Sequence, residues 1–184
     1  AVNKIGAIWL PLNFRLAGEE LVYIINDAGA KALISEAEFS STIAGIKGKV
    51  PSMKEYIAVG TDVPTDWKGY EDIVSRNIGV KVTDAEVEMG DLQRLMYTSG
   101  TTAYPKGVMI SYENFYWKNM SHIIEFKYTS DERCLVIGPL YHAGGLDLGA
   151  TPILQLGGTV AILRRFNPIQ TLEIIQREKI TQIW

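Results

Sequence analysis

The chain has 184 residues, 47% hydrophobic and 21% charged, which is enough apolar material for a core and too much for a disordered or low-complexity segment. A net charge of −3 and a pI near 5.5 exclude a surface built to neutralise a nucleic-acid backbone, so no nucleic-acid partner is expected. The single Cys134 lies in the apolar run Cys134-Leu135-Val136-Ile137 and cannot build a disulfide framework, which fits a reducing, cytoplasmic setting.

In chain order, residues 18–28 place Leu21, Ile24, Ile25 and Ala28 at helical spacing. Glu19 and Glu20 fall in the first turn, where they suit the helix dipole, and Gly29 supplies a stop. Residues 31–35 read as a strand, 36–46 as a helix, 54–59 as a strand, 60–68 as a loop and 70–76 as a short helix. A strand over 92–97 feeds a loop at 98–106, and 108–110 resumes a strand. A long helix follows over 112–126, with Ser111 as its cap and Tyr116, Met120, Ile123 and Ile124 on one face. The Phe115, Tyr116 and Trp117 cluster reads as core. Strands are expected at 133–137 and 159–163. Asn167-Pro168 starts a last helix whose Ile169, Leu172 and Ile175 are expected to face the core.

The result is an α/β pattern: layered βαβ units with a mostly parallel sheet covered by helices. Residues 144–163 are mostly uncharged, but Asp147, Pro152, Gln155 and the pair Gly157-Gly158 interrupt them. They read as a short core helix followed by a buried strand, and no membrane span is expected. No signal peptide is visible at Ala1-Val2-Asn3-Lys4, and the last residues, Ile180 to Trp184, read as the start of a strand. A piece of a longer protein is therefore expected.

The densest chemical signal is the loop Tyr97-Thr98-Ser99-Gly100-Thr101-Thr102-Ala103-Tyr104-Pro105-Lys106-Gly107-Val108. Small and hydroxylated residues leave backbone N–H groups accessible and add side-chain donors, a concave set that suits a phosphate. Lys106 brings a positive charge to the same anion, and Gly107 allows a close turn into the next strand. Pro105 stands where the Walker pattern needs its second glycine, so this is a different kind of phosphate loop. Composition alone leaves an ordinary connecting loop open as the other reading.

The string YTSGTTAYPKGVMISYENF closely resembles the phosphate-loop signature of the adenylate-forming (AMP-binding) superfamily, which includes acyl-CoA synthetases, aryl-CoA ligases, luciferases of the firefly type and peptide-synthetase adenylation domains. Upstream, Gly6-Ala7 with Pro11-Leu12-Asn13 and Arg15-Leu16 resembles the family's GAxxxPLNxRL segment. Downstream, Pro139-Leu140-Tyr141-His142-Ala143-Gly144-Gly145-Leu146 resembles its PLxHxGGL motif. The three blocks stand in the family's order across nearly the whole chain. One departure is Ala103, where the family has glycine; if the position needs a positive φ, alanine costs about 1 kcal/mol.

The resemblance implies ATP-dependent activation of a carboxylic acid, with a fatty acid favoured, to an acyl-adenylate and then a coenzyme A thioester, with release of AMP and pyrophosphate. Thr98, Ser99, Gly100, Thr101 and Thr102, with Lys106 and Gly107, would hold the ATP phosphates. Thr98 or Thr101 would help hold Mg²⁺, a hard cation that takes oxygen ligands. His142, Gly144 and Gly145 would line the acid's pocket. Partners are then a small carboxylic acid and CoA, and a homodimer stays open. The family's tyrosine-glycine-x-threonine-glutamate block, its ribose-binding aspartate and its small C-terminal domain have no counterpart in this sequence. The chain is thus expected to be part of the large N-terminal domain over residues 1–184, with no catalytic residue assigned and no turnover on its own. A peptide-synthetase adenylation domain and a non-catalytic nucleotide-binding or oligomerisation module remain the alternatives.

Overall fold

A computed structural model describes residues 1–98 and 104–183, and in it the chain divides into two units. One comprises Ala1–Glu86 and Tyr97–Val108, the other Val87–Met96 and Met109–Trp184. Both are α/β with parallel sheets.

In the first unit, helix α1 (Gly18–Asp27) buries Leu21, Ile24 and Ile25, the stripe its spacing predicts. Glu20 reaches back to accept the Ala17 N–H at 2.8 Å, and Gly29 takes a φ of 61° just past the helix, a conformation glycine adopts without a Cβ penalty. Strands β1 (Ala32–Glu36), β2 (Glu55–Val59) and β3 (Lys68–Gly69) form a parallel sheet in that order, with Ala32 opposite Glu55 and Glu36 opposite Val59. Helices α2 (Ser40–Ile46) and α3 (Tyr70–Arg76) complete the βαβ pattern. The core gathers Leu21, Ile25, Ile43, Ile46, Tyr56 and Trp67, the last two with ring centroids 5.2 Å apart.

The second unit is built on a central strand. With β4 (Leu92–Tyr97) and β5 (Gly107–Ser111) paired as a separate two-stranded sheet, β6 (Arg133–Val136) lies between β7 (Thr159–Ile162) and β8 (Gln182–Ile183), parallel to both. Cys134, Leu135 and Val136 are fully buried, as a central parallel strand covered on both faces requires. Burial pushes the Cys134 thiol up to about 11, leaving it a small hydrophobe at neutral pH. Helix α4 (Tyr112–Phe126) starts at Ser111, whose hydroxyl accepts the Asn114 N–H at 3.1 Å while Asn114 Oδ1 accepts the Ser111 N–H at 3.2 Å. A π-helix (Gly144–Ala150) runs directly into α5 (Thr151–Gln155), and α6 (Pro168–Glu178) follows Asn167, whose side chain accepts the Gln170 N–H at 3.0 Å.

Three expectations about packing are corrected. In α6, Ile169 and Leu172 are 70% and 68% exposed and only Thr171 is buried, because periodicity identifies a stripe but not what covers it. In α4 the buried residue is Asn119; Ile124, Tyr116 and Trp117 are exposed, so the aromatic cluster is not core. The strand after Gly157-Gly158, β7, is half-buried rather than buried. Among the described residues no helix is long and apolar enough to cross a membrane; residues 144–163 break into the π-helix, α5, a turn and β7.

Candidate functional site

The loop lies in the first unit, between the end of β4 and the start of β5. Its neck is closed by Thr98 N–H donating to the Lys106 carbonyl at 3.0 Å, with the Lys106 N–H directed at Thr98 Oγ1 at 3.5 Å. Thr98 and Lys106 are paired through their backbones, and both residues are exposed. Ser99, Gly100, Thr101 and Thr102, and the unusual Ala103, lie outside the described residues.

Helix α1 holds both sides of this neck. The Tyr97 hydroxyl donates to Asp27 Oδ2 at 2.5 Å, and Tyr104 stacks on Tyr23 with centroids 4.9 Å apart and planes at 28°. Tyr23 and Asp27 are one turn apart on α1, so the i, i+4 geometry presents two anchors on one face. Burial, together with the Asp27 carboxylate, raises the Tyr97 phenol above its ordinary range, so it remains a donor at neutral pH. Gly107 owes its identity to this arrangement: a Cβ there would lie 2.9 Å from Tyr97 Cζ. Sequence alone suggests a turn; the structure shows a close approach of backbone to ring.

His142, Gly144 and Gly145 are brought together in the second unit, in the turn between β6 and the π-helix. His142 Nδ1 accepts the Gly144 N–H at 3.1 Å, which leaves Nε2 as the donor of the neutral ring, and the exposed side chain presents it to solvent. The His142 N–H donates to the Pro139 carbonyl at 3.2 Å, and its own carbonyl accepts Leu146 N–H at 3.2 Å. Gly145 is buried where a Cβ would come 2.8 Å from the Pro139 carbonyl oxygen and 2.9 Å from that of Gly138, so only glycine fits. At Gly144 a Cβ would meet nothing closer than His142 Nδ1 at 3.4 Å, so that position is not sterically demanded.

Sequence reasoning missed a buried polar network in the same unit. Arg94 on β4 and Asp147 in the π-helix are 2% and 8% exposed and form an ion pair at 2.5 Å. Lys118 from α4 stands 3.8 Å from the same carboxylate, and both cations lie over the Phe115 ring. Asn119 donates to Gln155 Oε1 at 2.7 Å and accepts from Thr151 Oγ1 at 2.9 Å. Burial lowers Lys118 to about 8, against the opposing pull of Asp147. The available signal was an aspartate inside an apolar run and an arginine inside a strand, since such charges persist in a core only when paired.

Among the described residues no cluster of three or more His, Cys, Asp or Glu could hold a metal ion. The exposed Thr98 hydroxyl fits a single oxygen ligand to a cation otherwise carried by phosphate oxygens, and Thr101 lies outside the described residues.

The family model described as AMP-binding enzyme matches residues 1–184. A feruloyl-CoA synthase from Amycolatopsis sp. is 34% identical over all of this chain and 34% of its own length. An indoleacetate–CoA ligase from Aromatoleum aromaticum is 32% identical over 98% of the chain and 35% of its own. Among solved structures, ATP-bound MatB from Rhodopseudomonas palustris superposes with a TM-score of 0.79 at 28% identity, over 96% of this chain and 34% of that one. The inhibitor-bound N-terminal domain of FACL13 from Mycobacterium tuberculosis gives 0.78 at 27%, over 97% and 43%. The chain spans about a third of the length of the curated relatives it matches. It belongs to the adenylate-forming, AMP-binding enzyme family.

Proposed function

We propose that the protein containing this chain activates a carboxylic acid with ATP and passes the acyl group to coenzyme A, and that residues 1–184 are part of its large N-terminal domain. A carboxylate oxygen attacks the α-phosphorus and pyrophosphate leaves. The thiolate of CoA then attacks the acyl carbon, and AMP departs with the bridging oxygen. Because two anions must meet, the protein's task is positioning and charge neutralisation rather than covalent catalysis.

The observation that carries this reading is the neck of the loop, where Thr98 and Lys106 are paired through their backbones and both exposed, at the two ends of the hydroxyl- and glycine-rich sequence between them. The Lys106 ammonium would neutralise the departing pyrophosphate, and Thr98 with residues 99–102 would cradle the phosphates. Mg²⁺ bound to those phosphates would supply further charge neutralisation, with the Thr98 or Thr101 hydroxyl as a protein ligand. His142, with Nδ1 committed to Gly144, would offer its Nε2–H to the substrate carboxylate, and Gly144 and Gly145 would line that pocket.

A fatty acid remains the proposed substrate class, while the relatives at 34% and 32% are named for acids bearing an aromatic ring. Isotope exchange between pyrophosphate and ATP, run on the complete protein with fatty, aryl and amino acids, separates the readings. Exchange stimulated by fatty or aryl acids supports the ligase. Stimulation by amino acids alone favours an adenylation domain, and no exchange with any acid favours a binding module. The isolated chain is expected to show none.

A further inference from the structure

The hydrogen-bond series of the π-helix is interrupted at its end. Thr151 donates its N–H to the Leu146 carbonyl, five residues back, as π geometry requires. The next bond in the series would run from residue 152 to the Asp147 carbonyl, but Pro152 has no N–H. A carbonyl in this buried stretch cannot be left without a donor cheaply. The structure fills the position chiefly with Lys118, whose Nζ donates to the Asp147 carbonyl at 2.6 Å and to Thr151 Oγ1 at 2.9 Å, and also to Asn119 Oδ1. The Thr151 hydroxyl reaches the same carbonyl only at 3.4 Å and is nearer to Asn119 Oδ1, at 2.9 Å. An ammonium has three donors, and all three are engaged where the π-helix meets α5.

The charged groups facing it are the Asp147 carboxylate from the π-helix and Arg94 from β4, while α5 contributes only the neutral Thr151 and Gln155 to this network. On α4 itself, His122 Nδ1 is 2.8 Å from the Lys118 main-chain carbonyl, which leaves the ammonium to its other partners. At the opposite end, the π-helix begins with Gly144 and Gly145. Leu146 N–H bonds the His142 carbonyl, and Gly145 packs against the Gly138 and Pro139 carbonyls with no room for a methyl group. A π-helix is an uncommon and easily converted geometry, so a rewinding to α register at Asp147 would rotate the residues before it.

We infer that Lys118 is a positioning residue for the acid-binding turn: by supplying the donor that Pro152 lacks, it holds the π register that sets where His142, Gly144 and Gly145 stand. The inference rests on the reading of that turn as the acid's pocket. It also explains why a lysine is tolerated on the buried side of α4, where a stripe of apolar residues would pack more cheaply.

The test uses the complete protein carrying Lys118→Met, which keeps the length and removes the donors, beside Lys118→Gln, which keeps a neutral donor. Pyrophosphate exchange is measured while acid and ATP are varied separately. The expected result is a rise of about tenfold or more in KM for the acid in K118M, with KM for ATP changed less than about twofold, and partial recovery in K118Q. Equal changes in both constants, or none, overturn it. Amide hydrogen exchange on the same variants reads the register without activity: residues 144–151 should lose protection in K118M while 133–136 keep theirs. Unchanged protection at 144–151 overturns the lock even if the enzyme works. Lost protection with no exchange activity in the wild type keeps the lock and removes the acid-binding reading. Should K118M not fold, K118Q carries both measurements alone: a rise in KM for the acid with KM for ATP little changed, together with reduced protection at 144–151, supports the inference, and wild-type values or a loss confined to kcat contradict it.

Discussion

Tyr97 and Tyr104 flank the segment proposed to hold the ATP phosphates and share helix α1 as their support, one through a hydrogen bond and one through a ring stack. Tyr104 occupies a position that the family signature leaves free, so its stack on Tyr23 is a device of this chain rather than of the motif. Replacing Tyr104 by Ala should raise KM for ATP about two- to tenfold, the equivalent of the ~0.5–1.5 kcal/mol of an aromatic pair, while Tyr104→Phe should leave it unchanged. Steady-state kinetics on the complete protein check this; equal losses in the two variants would show that the hydroxyl, not the stack, matters. Gly145 offers a second residue-scale prediction. Its missing Cβ faces two carbonyl oxygens within 3 Å, so Gly145→Ala should cost about 1–3 kcal/mol in denaturant unfolding, as overpacking does, whereas Gly144→Ala should cost clearly less.

At the scale of elements, the Arg94–Asp147 pair joins β4 to the π-helix across 53 residues of sequence. Removing one partner leaves a buried uncompensated charge. Asp147→Ala should therefore destabilise by about 3–5 kcal/mol, and the double change Arg94→Met with Asp147→Leu should recover much of that loss. Additive losses in the double variant would contradict the pairing. Lys118 adds a pH dependence. Its folded pKa of about 8 lies below the ordinary lysine value, so between the two the unfolded chain binds more protons than the native one. Stability contributed by this group thus rises as pH goes from about 8 towards about 10.4, and Lys118→Met should flatten that rise in parallel denaturation series. The helix caps are simpler: Ser111→Ala and Asn167→Ala should each cost ~1 kcal/mol, since each side chain satisfies a helix N-terminal N–H.

For the molecule as a whole, what was legible in the sequence was local. The stripe of α1, the run Cys134-Leu135-Val136 of the central strand, and the caps at Ser111 and Asn167 all depend on residues within a turn or two of one another. That a loop joins β4 to β5 and that a turn holds His142 was legible because the residues of each are contiguous. The buried network was not, because Arg94, Lys118 and Asp147 sit on three elements and none is unusual by itself. Period analysis also failed where a stripe existed without a cover, as at Ile169 and Leu172; over Gly144–Ala150 it gave a core helix, as observed, but not its π winding. The division into two units is interleaved, with residues 87–96 and 97–108 assigned to different ones, and no composition shift marks it.

The central claim is that a carboxylate oxygen of the substrate attacks the α-phosphorus of ATP. It is tested most directly by supplying the complete protein with ATP, CoA and an acid labelled with ¹⁸O in its carboxylate, and weighing the nucleotide product by mass spectrometry. The account predicts AMP carrying one labelled oxygen, with pyrophosphate unlabelled. Label in inorganic phosphate accompanied by ADP, or AMP formed without label, would contradict it.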